Sequence, residues 1–420
     1  MRILILGLFA LHFIFLAYLN NVYLAGLPMR SFLILLLGGL IFLQDHTILA
    51  RLHPVNLVYA LLAIVGLVVS ILHDVTLVNI FNGELKLLQS YLLVLAAYFI
   101  LEQYGIRTLI LVIVGIALPS AIIGILQALD VAAAWQWHTN LQAIQNKELS
   151  DESRIQIAEV LLRAPGLALY AIPQTYMLLS AMILTLYAVL RRPQDQPTQL
   201  LGAGILLILA AGIFASETRS AMGAALVMPA IIYLRQYPTK VIPAGILLLL
   251  AGMIVMLFSG DNGADVDSRL VSLDDASAVG RSTLYKYGTE LFLQQPFGYG
   301  FNFDTVEYAT EYFVNDRNLF AYEPYEKAQY IVPVHNSILN LVHTYGFIGL
   351  ILLGYYVFRL VNGNWYRATF MLGSFMNSLF HNAGILSNDL FMDIVLAVMV
   401  YEVNQQNATT PVVQGAAQTA

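Results

Sequence analysis

Three arginines and one histidine carry the chemistry this sequence offers. Arg163 opens Arg163-Ala164-Pro165-Gly166, Arg219 sits in Glu217-Thr218-Arg219-Ser220, Arg281 follows Gly280, and His335 precedes Asn336. Arg163, Arg219 and His335 each fall where a long apolar run begins, so each is expected at a helix start, which exposes unpaired N–H groups and a partial positive charge. A cation at such a place opposes the local dipole. It becomes favourable when an anion lies between guanidinium and helix end, and phosphate or pyrophosphate matches the planar guanidinium fork bidentately. An imidazole with an ordinary pKa of about 6.5 can take a proton from a hydroxyl at neutral pH. Each residue also has a plainer reading. Arg163 can snorkel from a membrane edge, Glu217 can pair with Arg219, Arg281 can be a loop charge, and His335 can be part of a cap beside Asn336, a good N-cap type.

The elements that must hold these residues are apolar helices. Of 420 residues 59% are hydrophobic and 11% charged, and the mean hydropathy is +0.72. A water-soluble domain with that composition would expose large apolar patches, so the chain is expected to be a polytopic membrane protein. Runs long enough to cross about 30 Å of hydrocarbon, roughly 17–25 residues each, fall near 2–20, 23–43, 54–72, 86–101, 107–129, 166–190, 200–215, 218–235, 241–258, 336–358, 364–381 and 385–402. The expectation is an all-α bundle of about 12 transmembrane helices spanning 1–402, with a polar disordered tail over 403–420. The first run has the length of a span, and Leu19-Asn20-Asn21 makes a poor cleavage site for a signal peptide.

Short loops with Arg51, Arg107, Arg191-Arg192, Arg235 with Lys240, and Arg359 with Arg367 fall on the side of Arg2, which the positive-inside rule makes cytoplasmic. The opposite side then owns two long connections, about 130–165 and 259–334. Within the first, 151–163 has the apolar stripe of a surface helix. Within the second, Leu284, Tyr287 and Leu291 form a helical stripe stopped by Pro296. Ser216, Ser220 and Ala224, with Gly223 beside them, predict a helix closely packed on a neighbour.

Other chemistry has less to stand on. Asp265-Val266-Asp267 has the spacing of a metal-nucleotide motif, with Asp274-Asp275 after it, and two carboxylates could hold a divalent cation bridging a diphosphate, but short acidic patterns are common in solvated loops. The aromatic series Phe301, Phe303, Tyr308, Tyr312, Phe313, Phe320, Tyr322, Tyr325 and Tyr330 suits an interfacial belt or a platform for sugar rings. His343 and His381 are expected to be packing or supporting groups. The chain holds no cysteine, which excludes disulfides, thiolate metal sites and a Cys nucleophile, and its net charge of −6 argues against a nucleic-acid partner. No phosphate-binding P-loop, zinc-protease or serine-esterase signature is present.

Arg219-Ser220-Ala221, Gly280-Arg281, Pro296-Phe297-Gly298-Tyr299-Gly300, His335-Asn336-Ser337-Ile338-Leu339 and Tyr345-Gly346-Phe347-Ile348-Gly349 occur in an order and spacing that resemble the bacterial O-antigen ligase/polymerase family. The resemblance runs from about Arg163 to Phe358, with Ser220-Ala221 standing where Gly-Ala is common. It implies an inverting glycosyl transfer at the periplasmic face of the inner membrane, in a GT-C-like architecture of lipid-linked sugar transferases. The donor is a glycan on undecaprenyl pyrophosphate, with no nucleotide sugar and no required metal or other cofactor. Carried over, Arg219 and Arg281 take the pyrophosphate, His335 takes the acceptor hydroxyl, and Arg163, Asn336, Ser220 and Tyr285 are expected to bind substrate. Polymerase and ligase differ in acceptor: a second lipid-linked repeat for one, lipid A-core or a protein for the other. The acidic, aromatic loop favours the polymerase, for which a chain-length regulator protein is a candidate partner. A flippase or transporter is the rival from another class, but such proteins tend to place ionisable groups near the bilayer midplane in repeated halves.

Overall fold

The computed structural model describes residues 1–24, 26–145, 163–191, 196–236, 276–306, 308 and 334–409. It is built of helices: α1 (Arg2–Tyr18), α2 (Met29–Gln44), α3 (Ile48–Arg51), α4 (His53–Leu72), α5 (Leu77–Tyr104), α6 (Ile106–Ala128), α7 (Ala132–Ile144), α8 (Ala171–Arg191), α9 (Gln196–Ala215), α10 (Arg219–Gln236), α11 (Ala276–Gln294), α12 (Ser337–Val361), α13 (Trp365–Ser378) and α14 (Leu390–Thr409). Two short antiparallel strands, β1 (Tyr23–Leu24) and β2 (Leu27–Pro28), form the sheet among the described residues. Five helices are long and apolar enough to cross a membrane, α4, α5, α6, α8 and α12, and α1, α2 and most of α9 are shorter apolar helices. The expected run at 241–258 lies outside the described residues.

Burial separates the helices into a centre and a rim. α14 is buried almost continuously from Leu390 to Val400, and α8 from Thr175 to Tyr187, so neither offers the single apolar stripe of a surface helix. α5 and α8 pack on α14, while α6 and α9 pack on α8 and on each other. On the other flank α10 packs along α13. Gly373 makes that approach possible, because a Cβ there would lie 2.1 Å from the sulfur of Met228. The close packing expected of α10 is therefore found, with Ala221 and Ala224 fully buried. Its notch is Gly373 rather than Gly223, whose added Cβ would meet only Met376 at an ordinary 3.5 Å. Ser216 lies outside the helix, in the turn before it, where its hydroxyl donates to Ile213 O.

The basic loops meet at one end. Arg51 pairs with Glu102 at 3.1 Å, Arg191 with Glu402 at 2.7 Å, and Arg367 donates to Gln406 at 2.9 Å. These partners explain why α14 continues to Thr409 instead of releasing a tail at Val403. Asn404 donates to Arg51 O and to the Tyr98 hydroxyl, so polar residues that look like tail in the sequence are recruited by neighbouring helix ends.

Several boundaries differ from expectation. α5 begins at Leu77, capped by Thr76, whose hydroxyl accepts from Asn79 N; Lys86, expected as the first residue of a run over 86–101, is consequently inside the helix. α7 occupies part of the first long connection, where an Ala-rich start at Ala132 supports helix on propensity alone. The surface helix expected at 151–163 lies outside the described residues apart from Arg163.

The Pro296-Phe297-Gly298-Tyr299-Gly300 run is structural. It locks α11 to a break in α12 at Gly346, where φ is +63° and ψ −158°. Phe347 N donates to Pro296 O at 2.8 Å and Tyr299 N to His343 O at 2.6 Å. Gly298 and Gly346 also have positive φ, and each leaves room for the other strand's backbone. Beyond it, Phe301 N donates to the Ser70 hydroxyl, and the Phe301 ring fills a slot between α4 and α5 made by Gly66 and Gly83. Phe301 is thus a buried plug, neither belt nor sugar platform, and Phe303 stacks on Tyr299 at 4.0 Å with Tyr308 against both. His343 is the packing residue expected, bonded to Gly288 O at 2.8 Å and flanked by Tyr299 and Phe303.

Candidate functional site

At the end of the bundle opposite the basic loops, the connection 379–389 is touched by four helices, α8, α10, α11 and α12. Ser220, in the first turn of α10, has its hydroxyl 3.1 Å from Asn377 Oδ1 and 3.1 Å from His381 Nε2. Tyr285 on α11 donates its hydroxyl to Leu379 O at 2.7 Å. Tyr176, on the first turns of α8, donates to Ala383 O at 2.5 Å, and its ring stands edge-on to His381. Asn340 on α12 donates to Asn382 O at 3.2 Å, and Gly384 is packed so tightly on Ser337 that a Cβ would sit 2.5 Å from its hydroxyl. Helices spread along the sequence from Tyr176 to Asn340 are tied to one short segment.

Each candidate has a definite place. Arg219 is the first residue of α10, as expected, after a turn in which Glu217 takes a left-handed φ of 51°. His335 stands immediately before Asn336, whose side-chain oxygen accepts from Ile338 N at 2.9 Å and Leu339 N at 3.0 Å, a complete N-cap for α12. Asn336 therefore fixes the helix entry, and its oxygen is committed to that duty.

Arg163 is placed differently from its expectation. Gly166 has φ +61°, so the chain turns there, and α8 begins only at Ala171. The turn hangs on α6: Gly166 N donates to Gln127 Oε1 at 2.8 Å, Gln127 Nε2 to Gly166 O at 3.0 Å, and Leu167 N to the Ser120 hydroxyl at 2.9 Å. Ala164 N also donates to Ala215 O, four positions before Arg219. The strand of chain carrying Arg163 is thereby pinned beside the one that delivers Arg219.

Arg281 falls within α11, one turn before Tyr285; its side chain lies outside what is described. The stripe predicted for this helix is present, with Leu284, Tyr287 and Leu291 buried, and the last two pack with Val334 directly before His335. Asp265, Asp267, Asp274, Asp275 and the aromatics from Tyr312 to Tyr330 lie outside the described residues. Among the described residues no cluster of three His, Asp or Glu side chains has the arrangement of a metal site.

Two buried side chains at this end escaped the sequence reading or were placed in the background by it. His381 turns out to be the direct partner of Ser220. Asp389, which no motif marked, caps α14 by accepting from Met392 N at 3.0 Å, and burial pushes its carboxyl up to about 7. A helix-cap spacing was its only signal in the sequence.

Residues 204–354, from within α9 to within α12, match a family model described as O-antigen ligase. That stretch belongs to the O-antigen ligase family. The match takes in Ser220, Tyr285 and the Asn336 cap, together with Arg219, Arg281 and His335. The family region ends before 379–389, so the segment on which its elements converge lies downstream of it. No curated protein matches the chain.

Proposed function

We propose that the chain is a membrane-embedded glycosyltransferase that moves a glycan from undecaprenyl pyrophosphate onto a second lipid-linked repeat unit, acting as a polysaccharide polymerase. The observation that carries this reading is the convergence on 379–389. It gives the starts of α10 and α12 and the middle of α11 a common anchor, at the end away from the basic loops. In the proposed reaction an acceptor hydroxyl attacks the anomeric carbon, the bond to the pyrophosphate oxygen breaks with inversion, and His335 receives or orients the hydroxyl proton. Charge grows on the departing pyrophosphate, and fixed cations matter most where charge grows in a water-poor site. Arg219 and Arg281 are assigned that charge, and Arg163 guides the donor. Ser220, Tyr285 and Asn336 then act chiefly by holding those groups in place, since their polar atoms are engaged with protein. The polymerising end is assigned to the periplasmic face of the bacterial inner membrane.

The decisive experiment is reconstitution of the purified chain with defined lipid-linked repeats, with and without chelator. Arg219→Ala and Arg281→Ala are expected to lower transfer by roughly 10²–10³, the usual cost of removing one charge-stabilising donor, with protein level and melting unchanged. Wild-type chain lengths in both variants would refute the assignment. The description of the matching family favours a second reading, ligation of the finished glycan to lipid A-core or a protein. A deletion strain distinguishes them: single-repeat caps support polymerisation, and unattached long polymer on its lipid carrier supports ligation.

A further inference from the structure

Against 379–389 lies a cleft of about 420 Å³, walled by α5, α12, residues 301–305 and residues 382–388, whose lining includes neither Ser220 nor Tyr285. Its size falls within the roughly 300–1,000 Å³ typical of small-ligand sites. The chemistry of its wall is unusual for a helical bundle. Carboxamides come from three of the four walls, Asn302, Asn340, Asn382 and Asn388, with Ser387 among them and Lys86 from α5. Carboxamides offer donors and acceptors together, which suits a ring carrying several hydroxyls. A lipid chain would leave these groups unsatisfied, whereas a phosphate would call for clustered cations, and the lining holds Lys86 together with the carboxylate of Asp304. Phe303 adds aromatic surface, against which the C–H face of a sugar packs, while Phe301 stays buried as the plug between α4 and α5.

Some of these groups are set in place by one another. Lys86 Nζ donates to Asn302 Oδ1 at 2.8 Å, Asn302 Nδ2 donates to Asn79 O at 3.1 Å, and Asn340 Nδ2 donates to Asn382 O. The wall is thus braced, while Asn382 and Asn388 are exposed to whatever enters. Thr305, another wall residue, accepts from Val334 N through its hydroxyl at 3.4 Å, which puts His335 one residue from the cleft.

We infer that this cleft binds the sugar rings of the acceptor glycan, while the donor diphosphate lies on the α10–α11 side of 379–389 and His335 stands between them. The inference rests on the transferase reading above and deepens it by assigning the second substrate a subsite.

The test uses the full chain in lipid nanodiscs. The probe is the delipidated repeat-unit oligosaccharide released from the host's own surface polysaccharide, titrated by saturation-transfer NMR. Ser387→Phe fills the cleft, Lys86→Met removes a wall donor, and Asn388→Gly removes an amide where φ is +66° and glycine is at ease. Ser387→Phe should weaken binding at least tenfold and the other two severalfold, whereas Arg219→Ala should bind as wild type does. In transfer assays the cleft variants should raise KM for acceptor and leave KM for lipid-linked donor unchanged. Lys86→Met changes little volume and Asn388→Gly removes an exposed side chain, so retained melting behaviour in either keeps the test open if Ser387→Phe fails to fold. Wild-type binding in folded cleft variants, binding lost on Arg219→Ala alone, or no binding to the wild type would each overturn the assignment. Full transfer by Arg219→Ala would instead refute the transferase site, independently of where the oligosaccharide binds.

Discussion

Gly346→Ala tests how the candidate site is held. At Gly346 the backbone has φ +63° and ψ −158°, a region essentially restricted to glycine, and forcing another residue there costs about 1–3 kcal/mol. Space adds to the strain. A Cβ would lie 2.3 Å from Phe297 C and 2.5 Å from its Cα and O, all backbone atoms that no rotamer change can move. Restoring an ordinary contact of 3.4 Å requires a displacement of 3.4 − 2.3 = 1.1 Å. That shift would stretch the bonds from Phe347 N to Pro296 O, between exposed residues where water can replace it, and from Tyr299 N to the carbonyl of buried His343, which costs about 1–3 kcal/mol if left unmade. The expected destabilisation is therefore roughly 2–6 kcal/mol. Gly354→Ala is the control, since a Cβ there meets nothing within 4 Å. Thermal unfolding of the purified protein in one detergent should rank wild type and Gly354→Ala together and Gly346→Ala well below, with polymer in cells falling in the same order. Equal melting of Gly346→Ala and wild type would sink the reasoning that this motif is a brace.

Asp389 should make stability pH-dependent. Its folded carboxyl, raised to about 7 by burial despite the backbone N–H groups of Met392 and Phe391 that favour its charge, holds its proton more tightly than in the unfolded chain. Stability should therefore fall as pH rises from about 4 through about 7 and level off above. Asp389→Asn keeps an N-cap acceptor, and its melting temperature should fall less than wild type between pH 5 and pH 8; an unchanged slope would remove Asp389 as the cause. Asn336→Ala should cost about 1 kcal/mol through loss of the cap, read as a lower melting temperature, and should reduce transfer by misplacing His335. Tyr285→Phe, which removes only the hydroxyl bonded to Leu379 O, should cost about 0.5–1.5 kcal/mol while leaving donor KM within twofold of wild type.

Much of the architecture is legible in the sequence because apolar run length depends only on the chain itself. The starts of α10 and α12 were marked by Arg219 and the His335-Asn336 pair, and the buried stripe of α11 by Leu284, Tyr287 and Leu291. What escaped detection depends on partners distant in sequence. Gly166 turns the chain because Gln127 bonds its N–H and carbonyl and Ser120 bonds Leu167 N, so α8 starts late. Phe301 looks like other loop aromatics until Gly66 and Gly83 are seen to form its slot. The cleft was invisible for the same reason, since Lys86, Asn340 and Asn388 belong to three elements with no shared pattern.

The short connection at 379–389 gives this end of the molecule a keystone. Chimeras that exchange the family-matched stretch between relatives should succeed only when this downstream segment travels with it, because Ser220, Tyr285 and Asn340 would otherwise meet a foreign surface. Sequence variation inside it would then track variation at Ser220 and Tyr285 more closely than variation in its own flanking helices, which alignments of related chains can measure directly.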